Sequence, residues 1–171
     1  AGVNAAGFTI HSAVHMARHD AVCVLHTHTV AGVAVSSVKE GVLPLNQWSA
    51  QFFDRIAFHD YEGIALDLDE RARIVADLGD RSVMLLRNHG TLLLGRSVAE
   101  AIKLAINLER SCKAQVAALG MGLTPVVLPD AVAEHTARQY ESAYDAMENG
   151  NNPDPEWAAL LRRLETAAPD Y

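Results

Sequence analysis

Apolar and polar positions along the chain predict strands early and long helices late. Residues 21–28 alternate around β-branched positions, so they predict a strand. On it Val24, His26 and His28 share one face, and Cys23, Leu25 and Thr27 share the other. Ser82 to Arg87 predicts a buried strand and Thr91 to Leu94 a second, with Asn88-His89-Gly90 as the tight turn of a hairpin. Phe52 to Phe58 predicts a further strand or buried extended segment, and residues 59–63 a polar turn. Ala31 to Val38, apolar and rich in small residues, fits a helix start or a loop, and Leu43-Pro44-Leu45 breaks what precedes it.

Helical spacing appears over Thr9 to Arg18, with Ile10, Val14 and Ala17 on one face. Asp69 to Leu78 predicts another helix, stopped by Gly79. Ser97-Val98-Ala99-Glu100 has the form of a capping box and opens a long amphipathic helix to about Leu119, closed by Gly120. Asp130 to Met147 follows as a helix, and Asp154-Pro155-Glu156 starts a last one with proline in its first turn. This order favours a sheet covered by helices, and residues 1–171 read as a single domain without repeats. The chain begins at Ala1 and enters a helix almost at once, which suggests that an N-terminal segment precedes it in a longer protein.

Composition narrows the function classes. The 171 residues are 50% hydrophobic and 20% charged, the profile of a water-soluble globular chain. A formal net charge of -7 argues against nucleic acid or an anionic membrane as partner. No apolar run approaches the length of a membrane span, and no signal-peptide pattern is present. Cys23 and Cys112 are far apart, which excludes a short-spaced metal or redox pair and fits a reducing cytoplasm. Cys23, within a strand, is expected to be a small core residue.

The candidate chemistry lies in the histidines. His26 and His28, two apart on one strand face, can aim two imidazoles at one point. His89 interrupts two apolar runs at a turn, where a polar ring has little structural use. Three convergent imidazoles are a common ligand set for a catalytic divalent metal with a position left open. His11 and His15 stand four apart on a helix, but no glutamate follows His11, so the metalloprotease pattern fails. One of them is expected to line the surroundings of the site and the other to face solvent. His19 is expected in an exposed turn and His135 in a structural place on a late helix, while His59 fits either the site or the surface. Tyr61 is a weak candidate for catalysis, and a hydrogen-bonded corner is the stronger expectation for it. Asp67 to Glu70 is expected to be a solvated helix start.

Four motifs resemble the class II aldolase/adducin family: residues 6–13 (Ala-Gly-Phe-Thr-Ile-His-Ser-Ala), 23–29 (Cys-Val-Leu-His-Thr-His-Thr), 58–63 (Phe-His-Asp-Tyr-Glu-Gly) and 86–90 (Leu-Arg-Asn-His-Gly). The similarity runs from about Asn4 to Leu119 and is closest to the adducin-like branch. The resemblance implies an α/β fold, a three-layer α/β/α sandwich around a central, mostly antiparallel sheet. It implies a divalent metal, foremost Zn2+ with Mn2+, Fe2+ or Co2+ as alternatives, on His26, His28 and His89. It also implies a homotetramer and a small-molecule carbonyl or carboxylate substrate, hence an aldolase- or decarboxylase-like carbon–carbon lyase. The alternative is a non-catalytic adducin-like scaffold domain, although adducin's lysine-rich tail has no counterpart here. The chain departs from the aldolases at one key place. Their acid/base glutamate, about nineteen residues before the first metal histidine, falls on Gly7. The catalytic base is thus unassigned, with Tyr61 and His59 as weak candidates. Gln47 and Trp48 stand where the aldolases carry a tyrosine that donates a proton, and no phosphate-binding loop is visible.

Overall fold

The computed structural model of the chain describes residues 5–64, 68–148 and 154–168. Within them four strands, β1 (Cys23–Thr27), β2 (Ile56–His59), β3 (Val83–Leu86) and β4 (Gly90–Gly95), form one sheet in the order β1-β4-β3-β2. β4 runs antiparallel to both neighbours, and β2 pairs with β3 in parallel. The sheet is therefore mixed, with two of three pairings antiparallel, as a mostly antiparallel sheet requires.

Helices cover both faces. The first face packs on α1 (Ala5–Ala17) and α4 (Glu70–Leu78); the second packs on α2 (Val30–Ser36) and α5 (Val98–Gly120). α3 (Gln47–Ala50) and α6 (Asp130–Glu148) extend that second side, and α7 (Pro155–Ala167) buries no side chain. β3 explains the layering. All four of its residues are buried, and period-2 alternation sends Met84 and Leu86 to the core under α1 and α4. Val83 and Leu85 go to the core under α2 and α5. Such a strand has no polar face and must lie in the middle of a sandwich. Among the described residues no helix is long and apolar enough to cross a membrane.

Most elements follow the sequence expectation, including the β3–β4 hairpin and the Ser97 cap, whose side chain accepts from Glu100 N–H. Residues 31–38, which fitted helix or loop, lie in and just after α2, capped by Thr29. The extended segment expected over Phe52 to Phe58 is shorter. Asn46 and Ser49 form a reciprocal cap that turns residues 47–50 into α3, and Asp54 takes a positive φ of 52°. Only Ile56 to His59 pairs as a strand, so Phe52 is buried from a turn rather than from the sheet. Cys23 is half-buried on the edge strand rather than in the core, whereas Cys112 is buried; both are free thiols. Glu70, expected in solvent, is 7% exposed, and Asp67 lies outside the described residues. His135 is exposed on α6 rather than packed in a structural place.

Candidate metal centre

β1 is paired in register with β4, so His26 lies opposite Leu92 and Thr27 opposite Thr91. This register brings His26 Nδ1 to 3.0 Å from the Thr91 carbonyl. A carbonyl only accepts, so Nδ1 carries the proton and His26 presents Nε2 as a bare lone pair. His28, one step past the strand, places its Nε2 at 2.7 Å from that atom, and in the neutral pair His28 is the donor.

The third ring arrives from the hairpin turn. Asn88 adopts the left-handed conformation at φ 57°, which asparagine tolerates better than most residues, and His89 N–H closes the turn on the Leu86 carbonyl at 3.1 Å. The three ring centroids are mutually 4.6–4.8 Å apart. One nitrogen from each can be chosen so that all lie within 4.8 Å of one another. Thus His26 on β1, His28 just past it and the turn histidine, 61 residues beyond His28, converge as expected.

The electrostatics favour the neutral form of His26 and His89. Burial pushes the His26 imidazole down to about 4 from its ordinary 6.5, against the Thr91 carbonyl and with help from the neighbouring imidazoles. Burial also lowers His89, followed by the nearness of His28 and His59. Neutral imidazole is the form that ligates a metal. A stability prediction follows. Between pH 6.5 and about 4 the unfolded chain protonates the position-26 ring and the folded chain does not. The unfolded state then binds more protons, so stability falls as pH drops through that window. In the presence of a chelator the loss at this half-buried ring is expected to be on the order of 1–2 kcal/mol. Urea unfolding at pH 7 and pH 4.5 checks this, and His26→Gln should flatten the difference.

The residues around the rings were less legible in the sequence. His11 is half-buried on α1, lowered by burial and by His15, and its charge bears on His26, while His15 is exposed. This is the expected split between a residue lining the site and one in solvent. His19 is exposed, as expected. Gly7 lies in α1 and supplies no side chain. His59 is neither turn nor surface. It ends β2, is 4% exposed, and donates through Nδ1 to Asp77 Oδ2 at 2.7 Å. Its Nε2 has no hydrogen-bond partner among the described residues, and Glu70 Oε1 lies 3.4 Å away. Tyr61 makes no corner hydrogen bond among the described residues: it is 53% exposed, and its ring stands 6.2 Å from that of His89.

Sequence pattern did not reveal Thr29 and Glu109. Thr29 Oγ1 accepts Gly32 N–H at the start of α2 and donates to Glu109 Oε2 at 2.5 Å. It thereby ties the loop after His28 to α5. Thr29 before an apolar run was a readable cap signal; its carboxylate partner eighty residues away was not.

Known proteins resemble this chain over most of its length. The family described as Class II Aldolase and Adducin N-terminal domain matches residues 1–116. A Caulobacter vibrioides protein named "Putative aldolase class 2 protein" is 48% identical over 170 residues, covering 99% of this chain and 64% of the relative. Alpha-adducin of Mus musculus is 41% identical over 173 residues, covering 96% of this chain and 23% of the adducin. The crystal structure of an aldolase II superfamily protein from Pseudomonas syringae superposes with a TM-score of 0.88 at 50% identity, covering 99% of this chain and 66% of that one. The chain thus spans just under two thirds of the bacterial relatives and about a quarter of the adducin. The match covers all four motifs and the three converging histidines, and the chain belongs to the class II aldolase and adducin family.

Proposed function

We propose that His26, His28 and His89 hold one divalent metal ion, zinc foremost, with manganese, iron(II) and cobalt(II) suited to the same donors. The carrying observation is the Thr91 carbonyl on His26 Nδ1, which leaves Nε2 free at 2.7 Å from His28 Nε2, with the His89 ring 4.8 Å from that of His26. The close convergence of the three rings, with burial lowering His26 and His89, supports this reading. His28 is exposed, so the cluster opens to solvent on its side. A divalent ion held by these residues would supply a Lewis acid for the negative charge that builds on a substrate oxygen when a carbon–carbon bond beside a carbonyl breaks.

The reading is a metal-dependent carbon–carbon lyase of aldolase or decarboxylase type, acting on a small carbonyl or carboxylate compound, in the cytoplasm and as a homotetramer. Exposed Met121, Leu123 and Val126 offer apolar surface for self-association. Because Gly7 carries no carboxylate, the lyase reading favours reactions that need little base from α1. Accordingly, Gly7→Glu is expected to raise retro-aldol turnover of sugar phosphates by about a hundredfold or more, as gain of a positioned base does. An unchanged rate across a sugar-phosphate panel would remove Gly7 as the reason for weak aldolase chemistry.

A second reading, a non-catalytic scaffold domain, is favoured by the adducin similarity over 96% of the chain. Metal content per chain separates the two. Protein purified without added metal or chelator is analysed for its elements. About one transition metal per chain supports the lyase; none, with none taken up on titration, supports the scaffold.

A further inference from the structure

Tyr61 follows β2 by two residues, and the segment that carries it is tied down on both sides. Before it, the His59 carbonyl accepts Arg87 N–H at 2.8 Å, and the buried His59 ring donates to Asp77 on α4. After it, the Glu62 carboxylate takes the Arg73 guanidinium through Nε at 2.8 and 3.0 Å and through Nη2 at 2.5 Å. Asp77 and Arg73 are four residues apart on α4, hence on one face of the helix. One helix face therefore grips both flanks of position 61.

The Tyr61 side chain does not join this grip. Its ring stands at 72° to His89 with centroids 6.2 Å apart, and it is half exposed. Its hydroxyl makes no hydrogen bond to the described residues. A tyrosine kept for structure buries its ring and spends its hydroxyl on backbone. This one keeps its ring beside His89 and its O–H donor uncommitted among the described residues.

We propose that Tyr61 contacts the substrate, its hydroxyl donating a hydrogen bond to the substrate oxygen drawn to the three imidazoles. His59–Asp77 and Glu62–Arg73 are the positioning pairs that hold it there. The substrate class is a hydroxy- or keto-carbonyl compound with a charged oxygen beside the metal. This assignment rests on the metal-centre reading and adds the donor that this reading lacks.

Acetohydroxamate, a chelating anion with two adjacent oxygens, is the probe, titrated calorimetrically into the zinc-loaded chain. Tyr61→Phe should weaken it by about tenfold or more, the worth of one hydrogen bond to a charged acceptor, and leave zinc affinity unchanged. Arg73→Gln should weaken it by less, and Arg73→Lys should recover part of the loss. Adding Arg73→Gln to Tyr61→Phe should cost nothing further, because the clamp acts only through the phenol. A merely structural clamp would lower affinity equally in both backgrounds, and that result would overturn the positioning role. Unchanged hydroxamate affinity in zinc-loaded Tyr61→Phe would overturn the phenol role and leave the metal centre standing. Failure of the unsubstituted chain to take up zinc would overturn the metal centre and the phenol role together.

Discussion

His89→Ala is expected to abolish zinc binding while leaving the fold intact. The turn that carries the ring does not depend on the ring. It is formed by Asn88 in the left-handed region and by the His89 N–H on the Leu86 carbonyl, and both are backbone features that alanine at position 89 retains. What is lost is one of the three nitrogens proposed as donors. Losing a mere outer partner of a metal ligand already costs about 10–100-fold in affinity, so losing a ligand should exceed that range. His26→Ala and His28→Ala should behave alike. His15→Ala is the control, because this exposed imidazole lies on α1 with its centroid 6.4 Å from His11 and takes no part in the cluster. Competition titration with a zinc-sensitive dye reads all four variants. Retained metal in His89→Ala together with lost metal in His15→Ala would move the site to α1.

The contrast among these histidines shows what was legible in the sequence. His26 and His28 were readable because strand geometry is local: two residues apart means one face, whatever the rest of the chain does. His89 was readable because a polar residue broke two apolar runs at a turn. His59 was not, since its partners Asp77 and Glu70 come later in the chain and face it only once β2 has paired in parallel with β3. The parallel pairing depends on α4 crossing between these strands, and no pattern within β2 encodes it. The same limit applied to the Thr91 carbonyl. Its role on His26 comes from the β1–β4 register, which the sequence alone left open. At residues 52–58 the error was one of period. Buried Phe52 and the strand residue Ala57 look like one apolar segment, while the left-handed Asp54 between them marks a turn.

Gly90→Ala tests whether that register is tight. A Cβ at position 90 would lie 2.3 Å from the Thr27 carbonyl oxygen and 3.2 Å from His28 Cδ2. The nearer atom is backbone of a hydrogen-bonded strand, so it cannot rotate away as a side-chain end would. β1 and β4 must separate at the end where Thr27 faces Thr91, or the hairpin must tilt. Overpacking of this kind costs about 1–3 kcal/mol and more when backbone is involved, so about 3 kcal/mol is expected from urea unfolding. The damage should not stop at stability. Thr27 and His28 sit on one side of the collision and His89 on the other, so the imidazoles are driven apart and zinc affinity should fall with stability. Gly120→Ala provides the comparison. It lies at the end of α5 with no atom within 4 Å of its would-be Cβ, and alanine favours helix over glycine. That variant should keep full zinc affinity and gain up to about 1 kcal/mol. If Gly90→Ala unfolded at the same urea concentration as the parent and bound zinc equally well, the close approach of the two strands would not be what sets the three rings together.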